Sequence, residues 1–314
     1  MKIFSKVFVG NKCKIYLLGI KIFCYKDKKY ILRKQIKNCQ SLENENYDIL
    51  NIYEKNTTNI GDLMSSPSLY YPKLQNSSLS FGIKDFIFTP KIKNKLIIVG
   101  GGGLFLSYFQ DEINNILKLG KDNNIIFWGC GFDNYIGKDI IDFDFSNAKL
   151  VGCRDFNKNN LLYVPCSSCL SPLFDKYKNK KSSNEIIFYL HNDYSNDVMK
   201  YIKNYPIGFN KNMKNLDEAL LFLSQGEYIF TNSFHGLYWA TLLGKKVAVL
   251  PWFYKNNVGF SNKFLSFKYK PIYVDKFNDF HWYKDQMTSY PNALSECREI
   301  NDDFYKKVLK FIEK

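Results

Sequence analysis

A chain of 314 residues has room for roughly two domains of ~150 residues each. Its 46% hydrophobic and 17% aromatic content is enough apolar surface to offset ordering entropy, which excludes a disordered chain. The formal net charge of +14 rests on 44 basic residues, of which only Arg33, Arg154 and Arg298 are arginine; this Lys-and-Asn excess looks like an AT-rich coding bias and does not point to nucleic acid.

Residues 1–45 read as a basic leader. Residues 1–40 hold ten Lys and one Arg against Asp27, a net of +10, which leaves only +4 for the other 274 residues. The start MKIFSKVFVGNKCKIYLLGIKIF is broken by Lys and lacks the small-residue cleavage site of a secretory signal. No run approaches the ~20 apolar residues of a spanning helix. The stretch KIYLLGIKIFCYK alternates apolar residues with Lys. It suits either a basic edge-protecting strand pair or an amphipathic segment lying on an anionic membrane surface.

From residue 47 strands and helices alternate, the pattern of parallel sheets with crossover helices. Strands are expected at 47–52, 96–99, 124–128, 150–153 and 162–164, with a helix running from the glycines at 100–103 to about residue 119. Residues 165–183, rich in Ser, Pro, Lys and Asn, read as a linker. Beyond it come a strand at 185–190, helices at 195–204 and 216–224, a strand at 228–230, a helix at 235–243 closed by Gly244, and a strand at 246–250. An amphipathic helix at 302–313 ends the chain. The expected division is a leader at 1–45, an α/β domain at 46–165, a second at 183–290, and a terminal helical segment at 297–314 that crosses back to the first domain.

The eight cysteines are scattered, with Cys166 and Cys169 the one close pair, and His191, His235 and His281 lie far from that pair in sequence. That spacing argues for thiols in a reducing, cytoplasmic compartment, against a disulfide framework or a zinc site. The D-x-D spacing of Asp142 and Asp144 sits in the run IIDFDF and gives no convincing metal turn.

Three turns carry chemistry, each placed where a strand is expected to give way to a helix. In KNTTNIGDLMSSP, Asn59, Ile60, Gly61 and Asp62 form a tight polar turn. Asp62 either caps the next helix or accepts a proton from a sugar hydroxyl. Gly100, Gly101, Gly102 and Gly103 follow LIIV and suit close approach of backbone to a phosphate. In Thr231-Asn232-Ser233-Phe234-His235-Gly236 a histidine stands at a helix start, where a protonated ring is disfavoured and an anion is attracted. Arg154, in VGCRD, has the planar fork that suits phosphate or carboxylate; the plainer reading is an ion pair with Asp155 or another acid.

In order, NIGD, IIVGGGGL, VGCRD and TNSFHGLYWATLLGKKVAVLP resemble the polysaccharide pyruvyl transferase family, from about residue 47 to 251. The resemblance implies an α/β fold of two Rossmann-like domains facing across a cleft, as in GT-B enzymes. It implies transfer of a pyruvyl ketal from phosphoenolpyruvate to a sugar in bacterial surface polysaccharide biosynthesis, with no resident cofactor. His235 and Asp62 would be catalytic. Gly101, Gly102, Gly103, Arg154, Asn232, Ser233 and Gly236 would bind the donor, and Asn59 and Gly61 the acceptor. The acceptor would be a glycan or lipid-linked glycan, and the location cytoplasmic, peripheral on the inner membrane face through residues 1–40. One departure matters: Ser233 stands where the family's pyruvyl transferases tend to carry an arginine, two residues before the histidine. It favours the alternative of a glycosyltransferase using a nucleotide sugar to build capsule or lipooligosaccharide. A third reading is a non-enzymatic basic module for nucleic acid or lipid, resting on the N-terminal charge alone.

Overall fold

The computed structural model describes residues 4–9, 12–17, 20–26, 28–132, 142–158, 161–191, 196–254, 257–277 and 279–312. Parts of the expected leader, Ser195 of the helix expected at 195–204 and Glu313 of that expected at 302–313 lie outside these residues.

The chain opens with an antiparallel meander of β1 (Phe4–Val9), β2 (Lys12–Leu17) and β3 (Ile20–Lys26), followed by α1 (Lys28–Ser41). Helix α1 is fastened to the first large domain. Asn38 donates to the Asp85 carboxylate at 3.0 Å, Gln35 donates to the Lys84 carbonyl at 2.6 Å, and Cys39 is fully buried.

The first domain contains β4 (Ile49–Tyr53), α2 (Ile60–Leu63), β5 (Ser78–Gly82), β6 (Leu96–Phe105), α3 (Gln110–Leu117), β7 (Asn124–Phe132), β8 (Leu150–Cys153) and β9 (Leu162–Tyr163). Its six strands pair in parallel in the order β5-β4-β6-β7-β8-β9. The continuous apolar runs of β6 and β7 follow from burial on both sheet faces.

The second domain continues with α4 (Leu173–Tyr177), β10 (Asn184–Leu190), α5 (Asn196–Ile202), β11 (Ile207–Phe209), α6 (Leu216–Ser224), β12 (Gly226–Thr231), α7 (Phe234–Leu242), β13 (Lys246–Val249), the ribbon β14 (Trp252–Tyr254) and β15 (Asn257–Gly259), α8 (Asn262–Leu265) and β16 (Ile272–Tyr273). Its parallel sheet has the order β11-β10-β12-β13-β16. Helices α9 (His281–Lys284) and α10 (Ala293–Leu309) complete the chain. The architecture is α/β, with two Rossmann-like domains.

Each sheet reverses its strand order once, between β4 and β6 in the first domain and between β10 and β12 in the second. Ligands in open α/β sheets bind outside the carboxyl ends of strands at such a switch point. Both switch points open onto one cavity.

Three local readings are corrected. The glycine run does not lead into a helix: β6 continues to Phe105, and α3 begins only at Gln110. The terminal helix begins at Ala293, so it spans both domains: Ala293, Leu294 and Cys297 pack in the second-domain core, Phe304 and Val308 against Trp128 and Ile49 of the first. Residues 165–183 connect the sheets but are no exposed linker. Cys166, Cys169 and Phe174 are buried core, and the Ser167 hydroxyl donates to the Ser65 carbonyl at 2.8 Å. Among the described residues no helix is long and apolar enough to cross a membrane.

Candidate active site

A cavity of about 360 Å³ lies between the domains, within the usual range of small-molecule sites. It draws Glu54, Asn59 and Asp62 from the segment after β4, and Gly103 from the end of β6. Arg154 comes from the end of β8, His191 from the end of β10, and Ser233 and His235 from the end of β12 and the start of α7. Lys84, Lys211 and Lys263 add cations to the lining, so four positive side chains face the two carboxylates of Glu54 and Asp62.

Arg154 is the pivot. It is 4% exposed, and its Nε has no hydrogen-bond partner among the described residues. The guanidinium stacks 3.7 Å from the Phe234 ring centroid. Gly131 leaves room for it, since a Cβ there would lie 2.1 Å from Nε. The expected plain ion pair with Asp155 is not made; the Asp155 carboxylate instead accepts from the Phe132 amide at 2.6 Å. The charge it acts on in the lining is the Asp62 carboxyl, and a buried cation without a closer counter-ion is costly.

Asp62 and His235 face the same cavity with opposite perturbations. Burial pushes the Asp62 carboxyl up to about 6, against the pull of Arg154. Burial, then the Arg154 charge, pushes the His235 imidazole well below its ordinary value, so the ring is neutral. Its position in the first turn of α7 acts in the same direction. A carboxyl that titrates near neutrality is suited to moving a proton, and a neutral imidazole to hydrogen bonding.

The remaining sequence-predicted residues divide. Asn59 lines the cavity, but its Oδ1 caps α2 by accepting from the Gly61 amide at 3.0 Å. The same oxygen accepts from the Asn210 amide across the domain interface, and Asn59 Nδ2 lies 3.4 Å from His191 Nε2. Asp62 is therefore not the cap. Ser233 caps α7, its hydroxyl accepting from the Gly236 amide at 3.2 Å. Asn232, Gly61, Gly101, Gly102 and Gly236 do not line the cavity. Asn232 Oδ1 accepts from the His191 amide at 2.8 Å and so sets the end of β10. Gly236 packs on Thr231 and Tyr189, and Gly61 on the His235 ring. The glycine run makes room for the protein itself: a Cβ at Gly101 would lie 2.6 Å from the Ser65 carbonyl oxygen. Gly102 has φ +81° and faces the Asp62 carboxylate. Of these glycines only Gly103 lines the cavity.

Sequence reasoning missed Glu54, Lys84, Tyr108, His191, Lys211, Trp252 and Lys263. His191 had a readable signal, a polar residue closing the apolar strand EIIFYL. Lys263 had none: one Lys among many, 9% exposed in a four-residue helix, with its ammonium 5.1 Å from the Trp252 ring centroid. Among the described residues no group of three or more His, Cys, Asp or Glu side chains is placed to hold a metal.

Two Rossmann-like sheets have switch points that meet over one cavity, which holds a carboxyl titrating near neutrality and a buried guanidinium. Residues 16–252 match the model of the family described as polysaccharide pyruvyl transferase, and the chain belongs to that family, which makes it a transferase. A search of curated proteins returns no match. Among solved structures, an uncharacterised protein of Klebsiella pneumoniae subsp. pneumoniae is similar, with a TM-score of 0.39 and 17% identity over 74% of this chain and 92% of that one.

Proposed function

We propose that this transferase moves a pyruvyl group from phosphoenolpyruvate onto two hydroxyls of a glycan acceptor, forming a cyclic ketal during bacterial surface polysaccharide synthesis. The observation that carries the reading is Arg154, buried, stacked on Phe234 and with an Nε that has no hydrogen-bond partner among the described residues, in a cavity whose cations outnumber its carboxylates. A small, densely charged donor supplies the missing anion. Lys263 and Lys211 line the same cavity and offer positive charge where Ser233 does not.

The proton inventory closes on Asp62 and the departing phosphate. Protonated Asp62 delivers its proton to the enol methylene, and C2 becomes electrophilic. One acceptor hydroxyl attacks C2 and returns its proton to Asp62. The C2–O bond to phosphate breaks, the second hydroxyl attacks, and its proton leaves with the phosphate. Two hydroxyl protons are thus accounted for, one in the new methyl group and one on hydrogen phosphate. His235, neutral, holds the departing phosphate. Phosphate release from phosphoenolpyruvate with a panel of surface-glycan acceptors tests the reaction, with ketal formation read by proton NMR. A panel that includes the native acceptor and gives neither product overturns it.

Ser233 supports a second reading, glycosyl transfer from a nucleotide sugar, because its hydroxyl is a helix cap in place of the arginine expected for phosphoenolpyruvate. Thermal stabilisation by a nucleoside diphosphate, with none by phosphoenolpyruvate, would select it. The net +10 of residues 1–40 supports a cytoplasmic enzyme held at the anionic inner membrane face, near a lipid-linked acceptor. Co-sedimentation with anionic vesicles that persists after Lys-to-Gln replacement across this segment would overturn the contact.

A further inference from the structure

The residues behind His235 bear on which of its nitrogens carries the proton. Trp239, one turn further along α7, donates from Nε1 to the Ser168 hydroxyl oxygen at 2.9 Å. An indole N–H only donates, so Ser168 Oγ is the acceptor and its own proton must go elsewhere. Its neighbour is Cys166 Sγ at 3.3 Å. Cys166 Sγ in turn lies 3.6 Å from His235 Nε2. All four side chains are buried, with no more than 3% exposure.

We infer that Cys166 is a positioning residue: with Ser168 and Trp239 behind it, its thiol donates to Nε2 and fixes His235 as the Nδ1–H tautomer. The order of donors follows from satisfiability. If Nε2 carried the proton, the imidazole would donate to the sulfur. Whichever of Cys166 and Ser168 donates across their contact, one proton, of the thiol or of the Ser168 hydroxyl, would then be left buried with no acceptor among the described residues. Burial also holds Cys166 as the thiol, by pushing it above its ordinary value. Nδ1 stands on the opposite side of the ring, against Gly61, where a Cβ would come within 2.0 Å of it. His235 therefore presents an N–H toward the α2 side of the cavity wall, where Asp62 stands. It is a hydrogen-bond donor to an anionic ligand rather than a base.

This concerns the site of the proposed reaction but does not need it, because the readout is the unliganded protein. Full-length protein labelled with ¹⁵N-histidine is examined by long-range ¹H–¹⁵N NMR near neutral pH. The chain has three histidines, and loss of one set of signals in His235→Gln assigns it. Expected is a protonated Nδ1 and an unprotonated Nε2, retained in Cys166→Ser and lost to tautomer averaging in Cys166→Ala. A protonated Nε2 or an imidazolium in the wild type overturns the inference without any variant. An unchanged tautomer in Cys166→Ala overturns the role of the thiol. Were Cys166→Ala not to fold, the wild type and the Ser variant would still decide. Phosphate release is scored separately, so failure of the reaction and failure of the tautomer are distinguishable.

Discussion

Replacing Arg154 by Met is expected to stabilise the unliganded protein while removing its response to phosphoenolpyruvate. The guanidinium is 4% exposed with an Nε unpartnered among the described residues, so folding strips its water and supplies only the more distant Asp62 carboxyl in return. An uncompensated buried ion costs several kcal/mol. The stack on Phe234 returns at most about 2 kcal/mol. Met has similar reach, keeps contact with the ring and carries no charge. The balance is a gain of about 1–3 kcal/mol, or roughly 2–12 °C in unfolding midpoint at ~2–4 °C per kcal/mol. Binding moves the other way. Two charge-assisted hydrogen bonds to the donor, at ~1.5–3 kcal/mol each, correspond to a loss of about 10²- to 10⁴-fold in affinity. Scanning calorimetry of both proteins across a phosphoenolpyruvate series measures both effects. A variant that is less stable than the wild type, yet shifts as far with phosphoenolpyruvate, would refute the reading of Arg154 as an empty anion receptor.

Asp62→Asn should change the pH dependence of stability. A carboxyl raised from 3.8 to about 6 binds more protons folded than unfolded in that window. Wild-type stability therefore falls as pH rises through it. The variant should be more stable above about pH 6, by on the order of 2–3 kcal/mol, and not below pH 4; urea titrations at the two pH values check this, and proposed transfer should be lost. Gly61→Ala should destabilise, because its Cβ would fall 2.0 Å from His235 Nδ1. Overpacking of ~1–3 kcal/mol outweighs the ~1 kcal/mol gained in helix propensity, and the His235 signals should shift. Asn301→Ala should cost about 2–4 kcal/mol in urea unfolding, because it strands the buried Trp128 indole N–H, bonded at 2.8 Å, and the Pro165 carbonyl, bonded at 3.2 Å.

The sequence by itself determined the α/β class, most central strands, the α7 start and its glycine stop. These are local matters. A buried parallel strand needs a continuous apolar run, and Gly244, at φ +72°, ends α7 because a left-handed turn favours glycine. It also singled out Asp62, Arg154 and His235, three of the cavity residues, by placing unusual polar residues at strand ends. The edge strands Ser78–Gly82, Ile207–Phe209 and Ile272–Tyr273 were missed, being too short to show a period. What only the tertiary structure decided is the work each polar group does. Asn59, Asn232 and Ser233 look like ligand-binding residues in sequence, yet their oxygens serve backbone amides of the chain. The glycines at 101 and 102 fit a phosphate equally well in sequence, yet they admit Ser65 and Asp62. Cys166 and Lys263 carry no local signal, and they matter because long-range packing sets one behind His235 and the other at the cavity wall. Propensity and period depend on neighbours along the chain, whereas charge compensation and hydrogen-bond satisfaction depend on neighbours in space.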